Sequence, residues 1–308
     1  MENATVAINA ILRNRDLHVG EEILITDQTY GFFDKAATYI ARRTGALVRR
    51  VSLPFPAATP QATVDAFAAG LRPQTRLVII DHVTSSTALV LPVGAMVALA
   101  RGSGVMTLVD GAHAPGMVPI DLPAIGADWY TGNCHKWLFA PRGCAFLWVA
   151  PKMLTSTRPL VISHGYGDGF MDKFDWVGTR GASAQMVLPA ALGFRQRYGE
   201  RKIQAYNNAL VVDASNALAT KWRTTVGGPL EMTASMRTVR LPDRFHGEQA
   251  AADVLRWRLA TNMRCRCPCG QWQAVFGLGY QRKYIMTRKI IYAYRPRLQR
   301  SANLQQYP

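Results

Sequence analysis

Short apolar runs alternate with helical segments between residues 21 and 150, and this alternation limits the fold more than any other feature. The runs "EEILIT", "LVRRVSL", "RLVIIDHV", "VMTLVD" and "CAFLWVA" are typical of strands, several of them buried on both faces of a sheet. Gly45 is a predicted helix C-cap, and Thr59 followed by Pro60 predicts a helix start. The pattern favours an α/β fold with a largely parallel sheet flanked by helices.

Composition argues against a membrane protein and against a disulfide-rich secreted protein. A chain of 308 residues with 49% hydrophobic residues can bury a large core. It contains no uninterrupted apolar run of membrane-spanning length, and Met1 is followed by Glu2 and Asn3 rather than by a basic and then apolar leader. Five cysteines are too few and too unevenly spaced for a disulfide framework. These features predict a reduced, cytoplasmic protein without a membrane segment.

One lysine and one aspartate fall at the ends of neighbouring predicted strands. Lys136 lies in "NCHKWLF", beside the apolar side chains of Trp137, Leu138 and Phe139, and Asp110 ends the run "VMTLVD". Partial desolvation favours the free lysine amine, which is the form that makes a Schiff base. Ligands of open α/β sheets bind beyond the carboxyl ends of the strands. The two side chains are therefore predicted to share one site.

Pyridoxal phosphate suits such a site because it needs a lysine, a carboxylate at its ring nitrogen, a flat partner for its ring and hydrogen-bond donors for its phosphate. Asp110 fits the second requirement and Tyr30, just after a predicted strand, fits the third. The predicted phosphate contacts are Thr5, which opens a predicted helix, with Asn133 and His135. No metal site is predicted.

Seven motifs along the chain carry a family resemblance: "NAT", "ITDQTYG", "DHVTSSTALVLPV", "LVDGAHAPGMVPIDL", "ADWYTGNCHKWLFAPRGCAFLWV", "SHGYG" and "DWVGTRGASA". They resemble the class V aminotransferase fold family from Asn3 to about Ala260. The branch they resemble is that of isopenicillin N epimerase, which also includes hercynylcysteine sulfoxide lyase-like proteins. The resemblance implies a pyridoxal-phosphate-dependent transferase of fold type I, with a small C-terminal α+β domain that is incomplete here.

The resemblance also assigns roles to individual residues. It implies that Lys136 is the Schiff-base lysine and catalytic residue, and that Asp110 is the partner of the pyridinium nitrogen. It implies a homodimer, because Thr179 of "GTRG" would reach the phosphate of the neighbouring subunit. It implies contacts to the ring from Tyr30 and His113, and to the phosphate from Thr5, Asn133 and His135. Thr84 and Ser85 are further predicted cofactor-binding residues.

The sequence departs from the family pattern at several positions. Ala88 stands where the family has a glycine, which predicts crowding at a backbone position that needs a positive φ. Val6, Ala7, Ser86 and Gly181 also replace usual family residues. Family members carry several dozen residues ahead of "NAT", so a missing start is predicted.

The last segment of the chain has an unusual composition. Residues 262–308 contain nine Lys and Arg, no Asp or Glu, and three of the five cysteines. The segment could hold a C-x-C-x-C metal site or serve as a basic nucleic-acid-binding tail, and both are the less favoured interpretations. Reverse translation in a shifted frame permits R-V-S-A-Q-I-Y-N-D-P-E-D-Y, which is the ending the family predicts. The tail is therefore predicted to be out of frame from about residue 260.

These observations predict three segments: a large cofactor-binding domain over 1–205, a partial small domain over 206–261 and an out-of-frame tail over 262–308. The predicted activity is epimerisation, elimination or transamination of an amino-acid substrate, impaired by the damaged ends. A catalytically dead remnant of the same fold is one alternative. A nucleic-acid-binding protein is the other, with nucleic acid judged an unlikely partner.

Overall fold

The computed structural model describes residues 1–56, 59–240 and 242, together with the backbone of a short strand at 284–286. The chain divides into two compact units. The first contains Met1–Pro54, Ala58–Ser85 and Val90–Gln204, and the second contains Phe55–Ala57, Ser86–Leu89 and Ala205–Pro308. Apart from that short strand, the predicted out-of-frame tail and its cysteines lie outside the described residues.

A six-stranded sheet forms the centre of the first unit, in the order β2-β1-β3-β4-β5-β6. The first five strands are parallel, as the alternating pattern predicted, and β6 is antiparallel to β5. The direction of strand addition reverses between β1 and β3, where ligands of such sheets bind. The strands are β1 (Glu22–Thr26), β2 (Leu47–Val51), β3 (Thr75–Asp81), β4 (Met106–Asp110), β5 (Trp129–Asn133) and β6 (Ala145–Val149).

Helices precede, connect and follow the strands of this sheet along the chain. They are α1 (Ala4–Arg13), α2 (Gly31–Thr44), α3 (Pro60–Gly70), α4 (Val93–Gly102), α5 (Leu122–Ile125), α6 (Cys134–Trp137), α7 (Phe170–Asp175), α8 (Ser183–Met186), α9 (Leu188–Tyr198) and α10 (Glu200–Trp222). Two predicted helix ends are confirmed. Gly45 caps α2 with φ of 77°, and the Thr59 hydroxyl accepts a hydrogen bond from the Ala62 amide at 3.1 Å, with Pro60 as the first helical residue.

The core of the first unit lies on the buried face of α1 and on both faces of the central strands. Every residue of β1 and β5 is buried. For β1 this explains why the run "EEILIT" lacks the polar alternation of a half-exposed strand. Ile8, Ile23 and Trp129 belong to one apolar cluster beneath α1. Burying a side chain of this size contributes about 1.5–3 kcal/mol. This packing fixes the strand ends that carry the candidate site.

The second unit contains most of α10 and a two-stranded antiparallel sheet of β7 (Thr238–Arg240) and β8 (Tyr284–Met286). Strand β7 lies within the segment "MRTVRLP". Ala88, also in this unit, has φ of 63°, so the position predicted to need a positive φ has one. Of the helices that the structure describes, none has the length and apolar character to cross a membrane.

Candidate functional site

A pocket of about 210 Å³ lies at the carboxyl ends of the central strands of the first unit. It is lined by residues from the start of α1, the turn after β1, the loop after β4 and the junction of β5 with α6. Eight of the ten predicted site residues line this pocket: Thr5, Tyr30, Ser85, Asp110, His113, Asn133, His135 and Lys136.

Lys136 and His113 form the centre of the pocket. The Lys136 Nζ atom lies 2.9 Å from His113 Nε2, and the Trp137 indole N–H donates to His113 Nδ1 at 3.4 Å. Because an indole nitrogen can only donate, His113 Nδ1 is the acceptor of the second contact. The first contact holds the Lys136 amine beside the imidazole inside the pocket. The free form of such an amine is the nucleophilic form of lysine.

Asp110 ends β4 and forms a buried wall of the pocket. Its Oδ1 atom accepts a hydrogen bond from the Ala112 amide at 2.8 Å. Burial raises the pKa of Asp110 to about 6, although the nearby Lys136 and the Ala112 amide oppose the shift. A buried carboxyl that exchanges its proton near neutral pH suits the protonated nitrogen of a heteroaromatic ring.

A second buried carboxyl group stands beside Asp110. Asp81 ends β3 and is the register partner of Asp110 across the parallel pair. Burial, followed by the charge of Asp110, raises the pKa of Asp81 well above its usual range, while the Thr29 hydroxyl and the Tyr30 amide favour its charged form. Like charges this close cannot both ionise freely. Asp81 and Asp110, at the ends of β3 and β4, therefore carry fewer than two negative charges between them near neutral pH.

Sequence analysis missed the side chains behind Asp110. His82 Nδ1 and the Tyr130 hydroxyl are 2.8 Å apart in the core, and desolvation lowers the pKa of His82 to about 4. The Tyr130 ring covers Gly111, where an added Cβ would come within 2.3 Å of ring atoms. The glycine of "DGAH" is thus explained by the volume of Tyr130. The sequence carries only a weak indication of this pair, since a histidine after a strand (His82) and a tyrosine within a strand (Tyr130) are both common.

The phosphate end predicted for the pocket lies at the start of α1. Asn133 Oδ1 accepts a hydrogen bond from the Ala4 amide at 2.9 Å, and Asn3 Oδ1 accepts one from the Val6 amide at 2.9 Å. Asn133 thereby ties the first residue of α1 to the end of β5. The positive end of this helix, with Thr5 and Ser85 nearby, forms an anion-binding environment.

His135 faces the same pocket through a fixed ring. Its Nδ1 atom lies 2.8 Å from the Cys144 carbonyl oxygen, which can only accept, so Nδ1 carries the proton. Burial lowers the pKa of His135, with Lys136 and Arg142 acting in the same direction and the Cys144 carbonyl opposing them. The neutral ring therefore presents an acceptor at Nε2, and donation from Nε2 to a phosphate requires the imidazolium form.

Tyr30, predicted as the flat partner of the ring, lies at the outer edge of the pocket. It is 37% exposed and stacks on Phe32, with ring centroids 5.2 Å apart at an angle of 27°. Burial and the charge of Asp110 raise its pKa. His113, much more deeply buried, is the inner ring of the pocket.

Two predicted site residues do not line the pocket. Thr84 is buried and precedes the lining residue Ser85 in the chain, and Thr179 is exposed. Cys134, next to His135 in the motif, packs into a small apolar cluster with Cys144 and Ala191. Burial, reinforced by Cys144, raises the pKa of the Cys134 thiol to about 12, so this thiol is protonated and poorly nucleophilic.

Residues 1–257 match the family described as aminotransferase class-V. The chain belongs to this family.

Two curated relatives are similar in sequence to this class V aminotransferase chain. The chain is 36% identical over 276 residues to a putative L-cysteine desulfhydrase 1 from Oryza sativa subsp. japonica, covering 84% of this chain and 57% of the relative. It is 34% identical over 258 residues to isopenicillin N epimerase from Streptomyces clavuligerus, covering 78% of this chain and 65% of the relative. The chain thus spans less than two thirds of the length of these relatives.

Solved structures share the fold of this class V aminotransferase chain. The complex between the cystine C–S lyase C-DES and its reaction product cysteine persulfide aligns with a TM-score of 0.75 at 22% identity, covering 96% of this chain and 80% of that one. The apo structure of cysteine desulfurase from Thermococcus onnurineus NA1 aligns with a TM-score of 0.69 at 18% identity, covering 83% of this chain and 66% of that one.

Proposed function

We propose that this chain is a pyridoxal 5′-phosphate-dependent enzyme that acts on an amino-acid substrate through Lys136. Family membership indicates the cofactor, and a variant of C-DES, 23% identical to this chain, was solved with glycine covalently linked to its pyridoxal phosphate. The observation that carries the proposal is the Lys136–His113 pair, 2.9 Å apart, in one pocket with buried Asp110 and the start of α1.

The residues of the pocket match the parts of this cofactor. Asp110 would hold a proton at the ring nitrogen, His113 would lie against the ring, and the start of α1 with Thr5 would bind the phosphate. The cofactor supplies an aldehyde that bonds to amines and a conjugated ring that withdraws electrons from the substrate Cα. Lys136 would then remove and return the Cα proton.

The named relatives suggest two outcomes that share this proton transfer. An L-cysteine desulfhydrase expels sulfur after Cα loses its proton, whereas an epimerase returns the proton to the opposite face. We propose that Lys136 performs the shared step with either kind of substrate.

Exchange of the Cα proton for solvent deuterium tests the shared step directly. The reconstituted chain is incubated in deuterium oxide with L-cysteine or with L-alanine, which lacks a β-leaving group, and exchange is followed by NMR. A lyase is supported if both amino acids exchange their Cα proton and only cysteine releases sulfide. An epimerase is supported if exchange is accompanied by loss of optical activity. Lys136→Ala should abolish all exchange. Cofactor binding without any exchange would instead support the catalytically dead remnant.

We propose that the active unit is a homodimer, as the exposed Thr179 of "GTRG" suggests. Large apolar side chains in the same part of the first unit are unusually exposed, among them Met171 (73%), Trp176 (50%) and Met186 (77%). Exposed apolar patches of this kind mark association surfaces. Sedimentation velocity should give a dimer, and Met186→Lys should shift it toward monomer. A wild-type monomer at all accessible concentrations would contradict the proposal.

We further propose that residues 262–308 are translated out of frame and that this impairs the enzyme. The match to the family ends at residue 257, shortly before the composition changes. Inserting one nucleotide before the Asn262 codon should restore the strand R-V-S-A-Q-I-Y-N and increase cofactor retention. An ordinary turnover rate in the unrepaired chain, with no gain on repair, would contradict this proposal.

A further inference from the structure

Arg195 of α9 is a buried arginine that the family resemblance did not assign. Its side chain is 2% exposed, and its guanidinium forms a bidentate pair with the Glu200 carboxylate, at 2.5 Å from Nε and 2.6 Å from Nη2. An arginine is rarely buried to this extent unless it is paired. The pair with Glu200 satisfies part of the guanidinium and fixes the plane of the rest.

The other donors of Arg195 bind two backbone carbonyl groups from separate segments of the site. Nη1 donates to the Trp137 carbonyl at 2.5 Å, and Nη2 donates to the Gly116 carbonyl at 2.7 Å. Trp137 follows Lys136 at the end of α6, where carbonyl groups lack helical partners. Gly116 belongs to the loop that carries His113. One guanidinium thus joins the lysine segment to the histidine loop.

These two segments are in close contact where Arg195 joins them. Gly116 has φ of 81°, and an added Cβ there would come within 2.4 Å of the Trp137 carbonyl oxygen. The contact leaves no room for a larger residue. Small shifts of either backbone would therefore change the distance between Lys136 and His113.

The turn after α6 is held in a strained conformation at the same place. Phe139 has φ of 67°, which is unfavourable for an aromatic residue. The Arg195 guanidinium lies over the Phe139 ring, 4.9 Å from its centroid, and the Ala140 amide donates to the Cys134 carbonyl at 3.2 Å. Strained backbone persists only where surrounding contacts fix it.

We propose that Arg195 is a positioning residue that holds the Lys136 helix against the His113 loop and so sets the Lys136–His113 distance. It acts through the backbone of Trp137, whose indole in turn donates to His113. This inference rests on the proposed role of Lys136 as the cofactor lysine. A methionine would keep much of the volume of Arg195 while losing all of these hydrogen bonds.

The test compares Arg195→Met with Arg197→Met, a matched change at an exposed position of the same helix. The first measurement uses the full chain without cofactor. Lysines are briefly acylated with an N-hydroxysuccinimide ester, and labelling of Lys136 is compared by peptide mass mapping with that of exposed Lys202. We expect Arg195→Met to raise the Lys136 to Lys202 labelling ratio severalfold, because Nζ loses its fixed position beside His113, and Arg197→Met to leave the ratio unchanged.

The second measurement is the rate of covalent capture of pyridoxal phosphate at Lys136, trapped with borohydride. Misplacing a reacting group by about 1 Å costs up to about a hundredfold in rate, so we expect Arg195→Met to slow capture by about tenfold to a hundredfold. Circular dichroism and the melting temperature, measured on each variant, exclude a loss of fold as the cause. A folded Arg195→Met chain that matches wild type in both measurements would overturn the proposal.

Two milder variants keep the test decisive if Arg195→Met does not fold. Arg195→Lys keeps the charge but cannot bridge both carbonyls and Glu200, and Glu200→Gln removes the charge that orients the guanidinium. Both should move the labelling ratio in the same direction as the loss of Arg195, and wild-type behaviour in both would refute the positioning role. If wild type captures no pyridoxal phosphate but the labelling ratio still responds, the proposed function fails while the role of Arg195 stands.

Discussion

The buried His82–Tyr130 pair makes the stability of this protein sensitive to acid. His82 lies almost wholly buried behind Asp110, and desolvation lowers its pKa from 6.5 to about 4. Between these two values the unfolded chain binds a proton that the folded chain does not, so stability is present above pH 6.5 and is lost as the pH falls through this window. Replacing His82 with Gln removes the titrating group while keeping a side chain that can hydrogen-bond to Tyr130.

The size of the effect follows from the shift in pKa. Each unit corresponds to about 1.4 kcal/mol, so the titration of His82 costs about 3 kcal/mol across the window. Total stabilities are about 5–15 kcal/mol, so this is a large share. The assay is urea unfolding at a series of pH values from about 7 to about 4. His82→Gln should lose about 3 kcal/mol less than wild type over this range, whatever its stability at neutral pH.

Comparing wild type with His82→Gln cancels the contributions of other titrating groups to the pH dependence of stability. Asp110, with its pKa raised to about 6, acts in the opposite direction, because its protonated form favours the folded state as the pH falls. That contribution is common to both chains. His18→Gln, at an exposed histidine, is the matched control and should follow wild type. Parallel pH profiles for wild type and His82→Gln would refute the reasoning.

Two further predictions concern the loop after β4. Gly111→Ala should destabilise the protein by about 1–3 kcal/mol, because the new Cβ overlaps the Tyr130 ring; thermal melts should show this loss, and Gly94→Ala, whose Cβ meets nothing within 4 Å, should show none. Asp110→Asn should retain some pyridoxal phosphate but slow exchange of the substrate Cα proton by orders of magnitude, and an unimpaired variant would count against the proposed role of this carboxylate.

Local sequence signals predicted much of the fold. Three of the predicted runs became the buried strands β1, β3 and β4, because side chains on both faces of such strands need apolar neighbours. The runs that became β2 and β6 are partly exposed, and β5 lies in none of the predicted runs. Gly45 and Thr59 end and begin helices because a left-handed C-cap and a hydroxyl N-cap are local requirements. The antiparallel direction of β6 had no comparable signal, since it depends on the path of the chain after α6.

The candidate site was predictable only where a motif carried it. Lys136 and Asp110 were predicted to share a site because both lie near strand ends, and the structure places Asp110 at the end of β4, Lys136 in α6 just after β5, and both in one pocket. Arg195, His82 and Tyr130 were missed because their contacts join residues far apart in the chain: Arg195 and Gly116 are separated by 79 positions, His82 and Tyr130 by 48. Contacts of this kind depend on tertiary packing and cannot be predicted from a short sequence motif.

Borohydride trapping tests the central claim most directly. The chain is incubated with pyridoxal 5′-phosphate, reduced, digested and mapped by mass spectrometry, with Lys136→Ala treated in parallel. We predict one stable pyridoxyl group, on Lys136 of the wild-type chain, and none on the corresponding peptide of Lys136→Ala. Equal labelling of several lysines, or undiminished specific labelling in Lys136→Ala, would contradict it.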